Sequence, residues 1–188
     1  MKVLILTGSP HLQGTTALLA DEVSVGAQEA GNEVVRFDSA QLDIHPCIGC
    51  FHCRKNDGRC VQDDDMIQIY PHLLTADVIV LVTPVYYFGM TAQLKRVVDR
   101  FFSVNPILRE TPKQLSLVAA CGDKDEWATD ALVTHFRTIC RYMNWREGGM
   151  VLARGAYTRK DVEDTDYPMM ARSLGAGSGT RPKGENNF

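Results

Sequence analysis

Four cysteines fall inside CIGCFHCRKNDGRC, at Cys47, Cys50, Cys53 and Cys60, in a 188-residue chain that has only six. A C-x2-C-x2-C run offers three thiolates from one tight loop, the kind of ligation an iron–sulfur cluster uses. Gly49 eases the wrap and Pro46 stiffens the loop entrance. Asn56-Asp57-Gly58 is a turn signal that can bring the fourth sulfur back across the longer final gap. Structural zinc usually joins two short Cys knuckles across a longer segment, which suits this overlapping run less well. Reactive thiols, a reversible Cys50–Cys53 disulfide, or thiols simply packed in a loop are the other readings. The spacing leans toward a [4Fe–4S] centre on Cys47, Cys50, Cys53 and Cys60 and leaves the alternatives open.

Three further stretches carry chemistry. Gly8-Ser9-Pro10-His11-Leu12-Gln13-Gly14-Thr15-Thr16 lies between an apolar run and a helical pattern. A helix N-terminus there favours a phosphate, and Ser9, Thr15 and Thr16 add hydroxyls. A Walker loop would need a four-residue gap between its glycines and then a lysine, and neither is present; the G-x-G-x-x-G fingerprint is also missing. Thr83-Pro84-Val85-Tyr86-Tyr87-Phe88-Gly89 sets three consecutive aromatics after another apolar run, suited to a planar ligand, with Gly89 allowing close approach. Ala120-Cys121-Gly122-Asp123 offers a third turn. A phosphate end, a flat aromatic end and a third wall together match flavin mononucleotide (FMN).

The elements that must position these loops alternate. Val3–Leu6, Glu33–Phe37, Val78–Val82, Leu115–Ala120 and Gly149–Ala153 read as strands. Helical patterns start near Thr15 and after Asp63-Asp64-Asp65, and continue over 91–103, 126–143 and 161–174. The three aspartates are read as charge at a helix N-terminus. The alternation predicts an α/β protein with a parallel sheet and helices on both faces. Ligands of such sheets bind beyond the carboxyl ends of the strands, where strand order reverses. One domain is expected over 1–174, with a Cys-rich loop at about 44–62 and a disordered tail over 175–188. Cys140 falls on an apolar helix stripe and reads as a buried structural thiol. Trp127 reads equally as a ligand cover or a core residue.

Composition sets bounds on function. Apolar residues make up 45% and charged residues 23%, ordinary for a globular protein. A net charge of −3 argues against a nucleic-acid platform. Lys95, Arg96 and Arg100 alternate with apolar residues and read as a solvated helix face. The apolar run at the start is too short for a signal peptide, and no stretch approaches a membrane span. The cytoplasm is therefore expected, where structural disulfides are rare.

Residues 1–150 resemble the flavodoxin-fold NAD(P)H-dependent FMN reductases, and within them the iron–sulfur flavoproteins. The resemblance is carried by KVLILTGSPHLQGTT, PCIGCFHCRKNDGRCVQDDDM and ADVIVLVTPVYYFGMTAQLKRVVDR. It implies a flavodoxin-like three-layer sandwich whose five parallel strands run in the order 2-1-3-4-5. It also implies that Ser9, His11, Thr15 and Thr16 hold the FMN phosphate, that Pro84, Val85, Tyr86, Tyr87 and Gly89 line the ring, and that Cys121 and Gly122 form the third loop. Homodimers or homotetramers are implied as well. The chain departs from the pattern at His11, where many relatives carry Arg, and at Thr15, where Asn or Ser is common.

Three functions follow as expectations. One is an FMN oxidoreductase taking electrons from NAD(P)H to a quinone, a flavin or a nitro compound, with no side chain expected to act as an acid or base. Another is an iron–sulfur flavoprotein exchanging electrons with a ferredoxin. The third is a non-enzymatic module that uses the fold only to bind partners.

Overall fold

Each strand of the sheet has apolar residues on both faces, because both faces are covered. The computed structural model describes residues 1–177. Its strands are β1 (Lys2–Thr7), β2 (Glu33–Asp38), β3 (Val78–Pro84), β4 (Gln114–Cys121) and β5 (Arg146–Arg154). All neighbouring pairs are parallel and the order is β2-β1-β3-β4-β5, as expected. The helices are α1 (Thr15–Glu29), α2 (Met66–Thr75), α3 (Ala92–Arg100), α4 (Asn105–Glu110), α5 (Asp130–Met143), α6 (Lys160–Glu163) and α7 (Tyr167–Gly177).

Strand alternation sorts the core into two layers. Leu4, Leu6, Ile79, Leu81, Leu115 and Leu117 pack with α2, α3, α4 and α5. Val3, Ile5, Val78, Val80, Val82 and Val118 pack with α1, α6 and α7. Cys140 lies in the first layer, where burial pushes its thiol up to about 12, as befits a structural residue.

Several elements differ from the sequence pattern. The expected helix over 91–103 ends at Arg100 and passes through one 3-10 turn, Phe101–Val104, into α4. The expected helix over 161–174 is two helices. Pro168 lacks the N–H that a helix interior needs but a first turn does not, so the chain restarts as α7 at Tyr167 with Pro168 in its first turn. β5 begins at Arg146, ahead of Gly149, across an irregularity opposite Leu115 and Ser116. The tail expected from Gly175 onward begins as ordered helix: α7 runs to Gly177, and Gly175 is buried against α1. The remainder of that segment, 178–188, lies outside the described residues. Among the described residues no helix is long and apolar enough to cross a membrane.

Candidate functional site

The order reversal between β1 and β3 opens a crevice at their carboxyl ends, and a large cavity lies there. Its volume is about 1040 Å³, the size of a substantial ligand pocket. The loop after β1 supplies one wall through Ser9, Pro10, His11, Leu12, Gln13, Gly14 and Thr15. The loop after β3 supplies Pro84, Val85 and Tyr86, and the end of β4 supplies Ala120 and Gly122. Gln41 closes one side, and Ala156, Tyr157, Thr158 and Arg159, after β5, close the other.

Backbone hydrogen bonds lock these loops together. The Gly8 N–H donates to Val82 O at 2.8 Å, and the Val85 N–H donates to Ala120 O at 2.8 Å. Thr91 is the tie between loops: its hydroxyl donates to Gly8 O at 2.8 Å, while its N–H donates to Thr83 Oγ1 at 3.1 Å. The Ala156 N–H donates to Cys121 O at 2.8 Å, which holds the β5 loop to the β4 end. In the first loop, Ser9 Oγ accepts the His11 N–H at 3.0 Å and His11 O accepts the Gly14 N–H at 3.1 Å. This double turn delivers the chain into α1, whose first N–H groups have no intrahelical partner.

The aromatic loop is a tight hairpin. Tyr86 and Gly89 exchange both backbone hydrogen bonds, at 3.0 and 3.1 Å, across Tyr87 and Phe88. Both central residues have positive φ, 47° and 63°, which makes this a type I′ turn. That turn favours Asn-Gly, and two bulky aromatics in it are strained. Phe88 stacks against Trp127 with ring centroids 5.2 Å apart, and Tyr87 is fully exposed. Trp127 therefore belongs to the rim and not to the core. Strain of this kind persists where surrounding structure enforces it and concentrates at functional sites. Replacing Tyr87-Phe88 by Asn-Gly is expected to raise stability by about 1 kcal/mol and to lower turnover, read by urea denaturation and reductase assay. Unchanged turnover would show that the strain serves no role in the site.

The cysteine loop leaves the same rim, after β2. Its neck is clamped by a ladder of hydrogen bonds. The Asp43 N–H donates to Asp65 Oδ2 at 2.8 Å, the His45 N–H to Asp64 Oδ2 at 3.0 Å, and Gln62 Nε2 to Pro46 O at 2.9 Å. Arg100 reaches up from α3 and donates to Asp64 Oδ2 at 2.5 Å and to His45 O at 3.0 Å. Both side chains of this ion pair are buried. Arg96 donates to Ser39 O and Leu42 O at 2.9 and 3.0 Å. The solvated face expected for Arg96 and Arg100 is thus a clamp, because their long side chains run to the orphaned carbonyls of an irregular loop. Lys95 alone keeps the expected surface role, paired with Asp99. The helix-end role expected of the aspartates is present too, since Asp64 Oδ1 accepts the Met66 N–H at 3.1 Å.

Within the loop, Asn56-Asp57-Gly58-Arg59 makes the anticipated turn. Asp57 and Gly58 have positive φ, and the Arg59 N–H donates to Asn56 O at 2.8 Å. Phe51 meets Phe102 edge-on at 5.9 Å, and Arg54 lies 4.7 Å over the other ring. Cys47, Cys50, Cys53 and Cys60 all line one small pocket, backed by Arg100 and Phe102. The pocket is about 20 Å³, room for little more than a water molecule. Among the described residues no group of three or more His, Cys, Asp or Glu side chains stands close enough to hold a metal ion. Four thiols are the donor chemistry of a cluster, but these side chains do not stand close enough together to hold one. All six cysteines are free thiols.

Of the residues expected to bind FMN, Ser9, His11, Thr15, Pro84, Val85, Tyr86 and Gly122 line the cavity. Thr16, Tyr87, Gly89 and Cys121 do not. Thr16 is on the inner face of α1 and buried there. Tyr87 projects into solvent from the hairpin tip, and Gly89 is spent on pairing with Tyr86. Cys121 is the last residue of β4, and alternation turns it away from the face that Ala120 and Gly122 share. The β5 loop was not anticipated at all. Its signal was nonetheless present, since Arg154-Gly155-Ala156-Tyr157-Thr158-Arg159 follows a strand just as the other three loops do.

A parallel sheet of this order, with its cavity at the switch point, defines a flavodoxin-like α/β protein. The chain belongs to the NADPH-dependent FMN reductase family, whose model matches residues 1–156. It is similar to two proteins of Methanocaldococcus jannaschii. Iron-sulfur flavoprotein MJ1083 is 41% identical over 53% of this chain and 51% of its own length. Iron-sulfur flavoprotein MJ0731 is 35% identical over 71% of this chain and 68% of its own length. The match thus spans only about half the length of the first of these relatives. Among solved structures, NAD(P)H:quinone oxidoreductase from Methanothermobacter marburgensis superposes with a TM-score of 0.73 at 16% identity. That match covers 98% of this chain and 99% of the other, and it shows the common fold.

The cavity suits FMN. It joins the N-terminus of α1, where Ser9 and Thr15 add hydroxyls, to a wall of Pro84, Val85 and Tyr86 at which a flat ring can lie.

Proposed function

We propose that the protein is a flavin oxidoreductase that takes electrons from NAD(P)H and hands them to a small acceptor such as a quinone, a flavin or a nitro compound. The observation that carries this reading is the large cavity at the switch point, which joins the N-terminus of α1 to the aromatic hairpin. Bound FMN supplies hydride acceptance and electron delivery; the protein supplies position and polarity. Ser9, Thr15 and the free N–H groups of α1 would hold the phosphate. Pro84, Val85, Tyr86 and Gly122 would flank the ring. Among the described residues that line the cavity, none pairs an acid with a base. The exposed Tyr86, Tyr87, Phe88, Trp127 and Tyr157 leave a broad aromatic rim. That rim would be covered by a nicotinamide, by the acceptor, or by a second copy in a homodimer or homotetramer. The free thiols fit a reducing cytoplasm.

A second reading is an iron–sulfur flavoprotein serving a ferredoxin-like partner. It is favoured by the four thiols gathered in one pocket with a clamped neck. One experiment addresses both. Protein purified and reconstituted without oxygen is expected to bind about one FMN per chain and to oxidise NADH or NADPH with a quinone present. About four iron and four sulfide per chain would establish the second reading. A colourless protein that fails to take up added FMN would sink the first.

A further inference from the structure

We infer that Arg159 supplies the permanent positive charge for the FMN phosphate, in place of the cation that the β1 loop lacks. The inference rests on FMN being the ligand of the large cavity.

The β1 loop carries His11 and no Arg or Lys. A phosphate there would have backbone N–H groups, hydroxyls and the helix dipole, but no fixed cation from that loop. The chain as a whole is acidic, at −3. The cavity is not: no carboxylate is among the described residues that line it, and Arg159 is the one permanently charged residue there. A cavity so lined selects for an anion.

Arg159 stands where that anion would sit. Its Nη1 is 3.5 Å from Gln13 O, in the β1 loop, so the guanidinium already spans from the β5 loop to the mouth of α1. Its backbone is set by the turn around it. Thr158 donates to Asp161 Oδ2 through its N–H at 2.6 Å and through its hydroxyl at 3.0 Å. Arg159 Nε is paired with Glu163 at 2.5 Å. That pair is half-exposed and one helical turn apart, a type of contact that contributes little. A planar guanidinium can keep one edge on Glu163 and give another to a phosphate oxygen, and charge-assisted bonds to phosphate are the stronger kind.

The test compares FMN with riboflavin, which has the ring but no phosphate. Flavin is titrated into purified apoprotein and binding is followed by fluorescence quenching. Arg159→Ala is expected to weaken FMN at least about tenfold while leaving riboflavin unchanged, and Arg159→Lys to restore part of the difference. Glu163→Gln, which frees the guanidinium, is expected to tighten FMN and not riboflavin. An FMN-over-riboflavin preference that survives Arg159→Ala and collapses in His11→Ala would overturn the inference. So would equal losses for both flavins. If the wild-type protein binds neither flavin, the FMN reading itself fails and the inference falls with it.

Discussion

Arg100→Met is expected to destabilise the protein by about 3–5 kcal/mol at pH 7, because it leaves Asp64 charged, buried and without its partner. The reason lies in how the cysteine loop is anchored. Asp64 accepts hydrogen bonds from His45 N, from Met66 N and from the guanidinium, and the guanidinium also holds His45 O. Burial alone would raise the Asp64 carboxyl. The Arg100 hydrogen bond, the two backbone N–H groups and the Arg100 charge outweigh it and hold the carboxyl below its ordinary value. Burial likewise disfavours charge on Arg100, and the hydrogen bond it donates to Asp64 overcomes it.

The pH dependence follows from these directions. In the wild-type protein the stability from Asp64 is complete above its unfolded value, about 3.9, and drains as pH falls through the lower folded value. In Arg100→Met, burial without the guanidinium pushes Asp64 up instead. That variant gains relative stability as acid protonates the carboxyl. The gap between the two proteins should therefore narrow from pH 7 to pH 3.5, as measured by urea denaturation. Adding Asp64→Leu to Arg100→Met should recover much of the loss, since an apolar pair leaves no buried charge. A gap that stays constant with pH would show that the pair is not what the variant lost.

Gly175→Ala should cost about 1–3 kcal/mol, and Gly175→Val more. Helix propensity taken alone points the other way, with Ala favoured over Gly by about 1 kcal/mol inside a helix. Packing reverses the sign. A Cβ on Gly175 would lie 2.1 Å from Val23 O, and one on Gly26 would lie 2.0 Å from Arg172 O. Both obstacles are backbone, so no rotamer change relieves them, and α1 and α7 would have to move apart. The second layer of the core, with Val23 and Ala27 on α1 and Ala171 on α7, would open with them. Thermal unfolding of Gly175→Ala decides between the two effects: a raised midpoint would mean that propensity wins.

Those glycines show where reading the sequence stops. GAGSG near the carboxyl end has the composition of a tail, and local composition is all that a sequence displays there. What makes Gly175 a helix residue is a second helix, α1, pressed against it, and that contact joins residues about 150 positions apart in the chain. Arg100 is a similar case. Its neighbours in sequence suggest a wet helix face, and its partner Asp64 belongs to a segment whose irregular shape no periodicity describes.

The sheet, by contrast, was legible, because a strand buried on both faces must be a continuous apolar run, and Val3–Leu6 and Val78–Val82 are such runs. The strand-end loops were legible because a parallel sheet directs its carboxyl ends to one rim. Order brought three of the loops to one rim, and the family resemblance named Ser9, His11, Thr15, Pro84, Val85, Tyr86 and Gly122, which do line one cavity. Which side chains of each loop face that cavity is a matter of turn geometry. Cys121 turns away by strand alternation, Tyr87 stands out at a hairpin tip, and Arg159 reaches in from a loop with no motif. Composition and spacing by themselves pointed to a covered parallel sheet, a rim of loops and a ligand with a phosphate and a flat ring. The tertiary contacts alone decided which groups meet there, since a side chain's direction is set by neighbours that the chain brings together only when it folds.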